Sequence, residues 1–233
     1  MFAVIPLPTN YSATYKASST ILLTKALAFY LKTCYNTIYM SNIGEIRTLV
    51  DAMLRTNEAF AVDLRDGDIA LGGAIDSLGL AATSLRLAYE LRSGDYQAQL
   101  QPGSRAENAE MGAHNWGSAF AGQMDRFFGH VEEDGSRRAS RLIRHIEEEF
   151  GEEPANPLMF SAKDHLVTAA FHAVSATHTA RESSEEHNAY ESQTPEVIEH
   201  YAGDLIVCRN GLVTAIEESK LADGFFRQYR ETL

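Results

Sequence analysis

Cysteine is almost missing from this chain, with only Cys34 and Cys208 present. Two isolated thiols make neither a disulfide framework nor a cysteine-based zinc cluster, which suits a reducing cytoplasmic compartment. Long apolar runs are missing too. No window approaches the ~18 uncharged apolar residues of a membrane-spanning helix. The chain carries no P-loop, dinucleotide-binding glycine fingerprint, zinc-binding HExxH or GxSxG elbow, which argues against the common enzyme classes and leaves an unfamiliar one open.

Acidic residues are missing from the first part of the chain, and lysine is nearly missing from the rest. Residues 1–39 hold Lys16, Lys25 and Lys32 but no acidic residue and no arginine. From Met40 onward lysine nearly disappears, leaving Lys163 and Lys220 beside fifteen arginines. All 32 acidic residues lie there, so 17 basic side chains face 32 acidic ones, a formal charge of −15. We read residues 1–39 as an atypical N-terminal extension outside the functional chain, and residues 40–233 as an acidic helical domain. Met40 supplies a start, with Ser41 or Asn42 expected to cap a helix. A secretory leader does not fit residues 1–39, because the first residues are uncharged and Lys25 and Lys32 interrupt the apolar part.

An acidic, arginine-rich and lysine-poor composition also suggests a halophilic origin. Self-repulsion at −15 weakens as the Debye length falls to about 3 Å in molar salt, so the melting temperature should rise with potassium chloride.

The hydrophobic fraction of 45% and charged fraction of 22% are those of an ordinary globular protein. Apolar residues recur mainly at helical spacing. Ile43, Ile46, Leu49, Val50, Met53 and Leu54 share one face of a helix over 42–56. The alternation Phe60, Val62, Leu64 followed by Arg65-Asp66-Gly67-Asp68 predicts a short β-hairpin. Further helices are expected over 76–92, over 106–131 with Trp116 inward, and over 136–150 capped by Ser136. A helix capped by Ser161 or Asp164 should bury Val167, Phe171, Val174 and His178. Thr194 and Pro195 should open another helix, with residues 204–216 readable as helix or hairpin around Asn210-Gly211. A last helix over 215–230 should turn Leu221 and Phe225 inward. The expected fold is mainly α: a single-domain helical bundle of about six helices with one or two short β-hairpins.

Four places could carry chemistry. The segment LGG followed by DSLGLAATSLRLAYEL resembles the carrier-protein pattern, in which a serine opening a helix receives phosphopantetheine. Ser77 would be that serine, although Ala74-Ile75 separates the glycines from it. By the residues alone, Asp76 or Ser77 caps a helix, and no cofactor is expected.

On the helix over 136–150, Arg137, Arg141 and Arg144 line up opposite the apolar face. Arginines stand at the positive end of the helix dipole and Glu147–Glu149 at the negative end, each at a cost of about 0.3–1 kcal/mol. That inverted order marks the three arginines as a binding face for a protein partner or for the chain's own copy.

Histidines are frequent between Met159 and Tyr190. His165 and His172 are seven residues apart, about 10.5 Å along a helix, too far to grip one ion. No metal site is expected.

Finally, Arg181 and His187, separated by five residues, resemble the R-x(4–6)-H signature of the HEPN family, helical proteins that include metal-independent ribonucleases. The resemblance implies that Arg181 stabilises developing phosphate charge and His187 acts as general acid or base at a dimer interface. Glu182 replaces the small polar residue the family favours, and Glu185, Glu186 and Glu191 would repel RNA.

The sequence therefore points first to a non-enzymatic cytoplasmic interaction protein with a regulatory or assembly role, without a membrane. The ribonuclease is the alternative, and a nucleic-acid partner belongs to that reading alone.

Overall fold

The computed structural model describes residues 11–94, 103–186 and 194–233, with side chains at 43–94, 103–184 and 194–233. The chain divides into two compact units, residues 1–49 with Leu233 and residues 50–232. The elements in order are α1 (Tyr11–Gly94), α2 (Arg105–Phe128), a π-helical segment (Gly129–Gly135), α3 (Ser136–Phe150), α4 (Pro157–Glu186) and α5 (Pro195–Thr232). In the first unit the residues from Tyr11 to Leu49 are helical, and Thr48 donates to the Gly44 carbonyl at 2.9 Å. The helix start expected at Ser41 or Asn42 is absent, because both lie inside α1.

Residues 50–232 form an up-down-up-down four-helix arrangement, since α2, the π-helical segment and α3 follow one another without a break. The cross-helix pairs set the directions. Asp51, Asp68 and Arg86 on α1 meet Arg230, Arg209 and Glu199 on α5, so the two run antiparallel. Asp63 and Arg92 meet Arg138 and Glu110, which sets α1 antiparallel to α2–α3. Lys163 and Arg181 on α4 meet Glu147 and Glu132 in the same sense. Every sequence neighbour is thus a spatial neighbour, as short connections favour.

The core is written in heptads. Buried positions follow alternating steps of three and four on α1 (Val50, Met53, Asn57, Phe60, Leu64, Gly67, Leu71, Ala74, Leu78), and likewise on α4 and α5. This is the spacing that keeps a seam facing its neighbours in a left-handed bundle. On α2–α3 the pattern slips. Phe127, Val131, Gly135 and Ala139 are each four apart before the alternation resumes. One residue too many has entered the repeat, and the π-helical segment absorbs it. Its signature bond is present: the Ser136 N–H reaches the Val131 carbonyl, to which the Ser136 hydroxyl also donates at 3.0 Å.

The structure corrects several expectations. No strand occurs among the described residues, and both suspected hairpins are helix. Phe60 and Leu64 are buried while Val62 between them is exposed, which is helical spacing. Gly67 does not turn the chain. It lets α1 approach the π-helical segment, because a Cβ there would lie 2.2 Å from Val131 Cγ2. Four continuous helical stretches replace the expected six helices, since the segments over 42–56 and 76–92 are both parts of α1.

Helix α4 begins earlier than expected, at Pro157, because the Asn156 side chain accepts the Leu158 N–H at 2.9 Å. It also buries a different face. Met159, Ala162, Leu166, Ala169, Ala173, Ala176 and Ala180 are inside, while Val167, Phe171, Val174 and His178 are exposed. Alanines allow a close approach: Gly211 on α5 would meet Ala176 and the His172 carbonyl at 3.9 Å through an added Cβ. Trp116 and Leu221 are likewise exposed rather than inward.

Candidate functional site

The turn of α3 that places Arg137, Arg141 and Arg144 outward follows from Ala139, Leu142 and Ile146, which take the inner face. The outer arginines line a shallow depression of about 610 Å³ with Asp134, Ser136 and Ser140. A neighbouring hollow toward α1 adds Thr56, Arg138, His145 and Glu148. Arg141 Nε donates to the Arg137 carbonyl at 3.3 Å. None of the three arginines pairs with a carboxylate among the described residues. Seven other arginines, at 86, 92, 138, 181, 209, 227 and 230, do.

Beside this face lies a charge pair that the sequence did not single out. Asp63, 8% exposed, accepts from Arg138 Nε at 2.6 Å. Burial pushes its carboxyl above the usual range, against the opposing pull of Arg138. The group sits beside Gly135 of the π-helical segment. A Cβ on Gly135 would lie 3.6 Å from Asp63 and 3.2 Å from the His130 carbonyl. The signal was present in Gly67, whose reading as a turn concealed it, and in Gly135. A second buried polar pair ties α1 to α5. Asn57 Nδ2 donates to the Ser219 carbonyl and the Ser219 hydroxyl donates to Asn57 Oδ1, both at 3.0 Å. Such a satisfied pair within an apolar seam fixes register.

Arg181 is held within its own bundle. It pairs with Glu132 of the π-helical segment and stacks over the Phe128 ring, 5.0 Å from its centroid. His187 lies outside the described residues. Ser77 neither opens a helix nor reaches solvent. It is buried within α1 and donates to the Gly73 carbonyl at 2.8 Å, the opposite of an accessible attachment serine.

The histidines of α4 part company. His165 Nδ1 meets Glu218 at 2.6 Å and stacks on Phe225, clamping α4 to α5. His178, expected in the core, is on the surface and meets Glu182 at 3.1 Å. Among the described residues no three His, Cys, Asp or Glu side chains are grouped to hold a metal ion. Burial pushes the Cys208 thiol up to about 11, so it is no nucleophile at neutral pH. A cleft of about 750 Å³ between α1 and α2 has an alanine-rich floor and a rim of Arg92, Glu110 and His114. Its Ser118 donates to the His114 carbonyl at 3.2 Å rather than to an imidazole, so the pair is no nucleophile and base. No described helix is long and apolar enough to cross a membrane.

Compared with protein-family models, with curated proteins and with solved structures, the chain matches none.

Proposed function

We propose that the chain is a non-enzymatic cytoplasmic interaction protein that uses the Arg137/Arg141/Arg144 face of α3 to bind an acidic protein segment. The observation that carries this reading is clustering. Arg47, Arg55, Arg65, Arg105 and Arg126 also have no carboxylate partner among the described residues, but Arg137, Arg141 and Arg144 stand together, outward and unpaired, in one depression of a domain of charge −15. Guanidinium groups suit such a role because they stay charged and grip carboxylates in a fork. Ser140 adds a hydroxyl to the same depression, which Asp134 also lines.

The ribonuclease alternative rests on the spacing of Arg181 and His187. Arg181 is already engaged by Glu132 and Phe128, which favours the interaction reading. The test is a pull-down at native salt, comparing the full chain with Arg141→Glu/Arg144→Glu. We expect the variant to keep its helical content and lose partners that the unaltered chain retains. Retention of every partner would leave the face as solvated surface. Metal-independent RNA cleavage that disappears in His187→Ala would reverse the ranking.

A further inference from the structure

Helix α4 carries two apolar stripes. The alanine-rich one is consumed by the bundle. The bulkier one, Phe160, Val167, Phe171 and Val174, faces outward, with exposures of 50, 44, 67 and 50%. The two rings alone leave on the order of 200 Å² of aromatic surface in water. With the valines the stripe reaches the few hundred Å² that mark an interaction patch on a soluble protein.

We propose that this face of α4 binds a second copy of the chain, helix against helix and antiparallel, about a two-fold axis at Phe171. The order of residues favours that occupant. Val167 precedes Phe171 by four and Val174 follows by three. Asp164 precedes it by seven and His178 follows by seven. In an antiparallel pair centred on Phe171, Asp164 of each copy meets His178 of the other, and valines meet across the middle. A parallel pair would set Asp164 against Asp164 and leave His178 without a facing carboxylate, which opposes association. His178 turns Nδ1 to Glu182 at 3.1 Å, and in its protonated form the Nε2–H is left to donate to a facing carboxylate. The stretch from Asp164 to His178 is self-complementary, as an isologous contact requires, whereas Phe160 lies outside it and faces Glu182. Its area is below the ~800 Å² per side of a permanent complex, so the dimer dissociates on dilution.

This contact is distinct from the arginine face of α3 and does not depend on the function proposed for it. The experiment is sedimentation velocity on the full chain at native salt, from low to high micromolar concentration. We expect a reversible monomer–dimer shift that Phe171→Glu abolishes while far-UV circular dichroism and melting stay unchanged. Asp164→Arg alone and His178→Glu alone should each weaken the dimer at least several-fold. Asp164→Arg/His178→Glu together should restore it, and Arg141→Glu/Arg144→Glu should leave it intact. A chain that stays monomeric throughout, a dimer indifferent to Phe171→Glu, or a charge exchange without rescue would each overturn the proposal.

Discussion

Replacing Gly67 with alanine tests the closest contact in the bundle. In an exposed helix interior, glycine to alanine is a gain of about 0.5–1 kcal/mol, because the unfolded chain loses freedom. Gly79→Ala on the same helix should show that gain, since an added Cβ there meets nothing within 4 Å. At Gly67 the same atom would lie 2.2 Å from Val131 Cγ2, 3.6 Å from Leu212 and 3.7 Å from Phe127. Val131 is fully buried and, being β-branched, has few other rotamers to adopt. Overpacking of this kind costs ~1–3 kcal/mol, which exceeds the intrinsic gain. We expect a net loss of about 1 kcal/mol for Gly67→Ala. Val131→Ala alone should lose about 2 kcal/mol through transfer and cavity. In the double variant the new methyl occupies the vacated space, so the combined loss should fall short of the sum by at least ~1 kcal/mol. Urea unfolding followed by circular dichroism, with unchanged dependence on urea, measures all four states. Gly67→Ala as stable as Gly79→Ala, or a cycle additive within ~0.5 kcal/mol, would refute the packing argument.

Deleting Glu133, an exposed residue in the π-helical segment, should restore the regular three-four alternation and leave melting within a few degrees of the parent. Deleting exposed Ser118 from α2 instead rotates the flanking core positions out of register, so large destabilisation should appear in thermal melts. Asp63 has a sign that pH can read. Its folded-state pKa is raised by burial, so the folded protein holds this proton more tightly than the unfolded chain. The resulting stability is complete below the unfolded pKa and is lost as pH rises through the folded one. Relative to Asp63→Asn, the parent should therefore lose stability between pH ~4 and neutrality. Denaturant titrations at several pH values check this, and a gap that widens in the parent's favour with rising pH would contradict it.

Helical class was legible wherever periodicity spoke for itself. Thr194 and Pro195 do stand at the start of α5, and Ala139, Leu142 and Ile146 are the inner face of α3 as their spacing suggests. Punctuation was misread. Gly67 and Asn210-Gly211 are turn signals locally, yet both lie inside helices, because packing against a neighbour outweighs the ~1 kcal/mol cost of glycine in a helix. The arginine face lies where the helical wheel puts it, but the absence of carboxylate partners is a property of neighbouring helices.

Helix α4 divides the two kinds of information most clearly. The sequence by itself determined that α4 is an amphipathic helix, that the chain from Met40 is strongly acidic, and that no P-loop, dinucleotide fingerprint, HExxH or GxSxG elbow is present. Only the tertiary structure decided which side is buried. Hydrophobicity favours the stripe with Val167, Phe171 and Val174, but the bundle takes the alanines, because closeness to α5 gains more contact than bulk at a greater distance. That choice, made between helices rather than within one, leaves the larger side chains facing water.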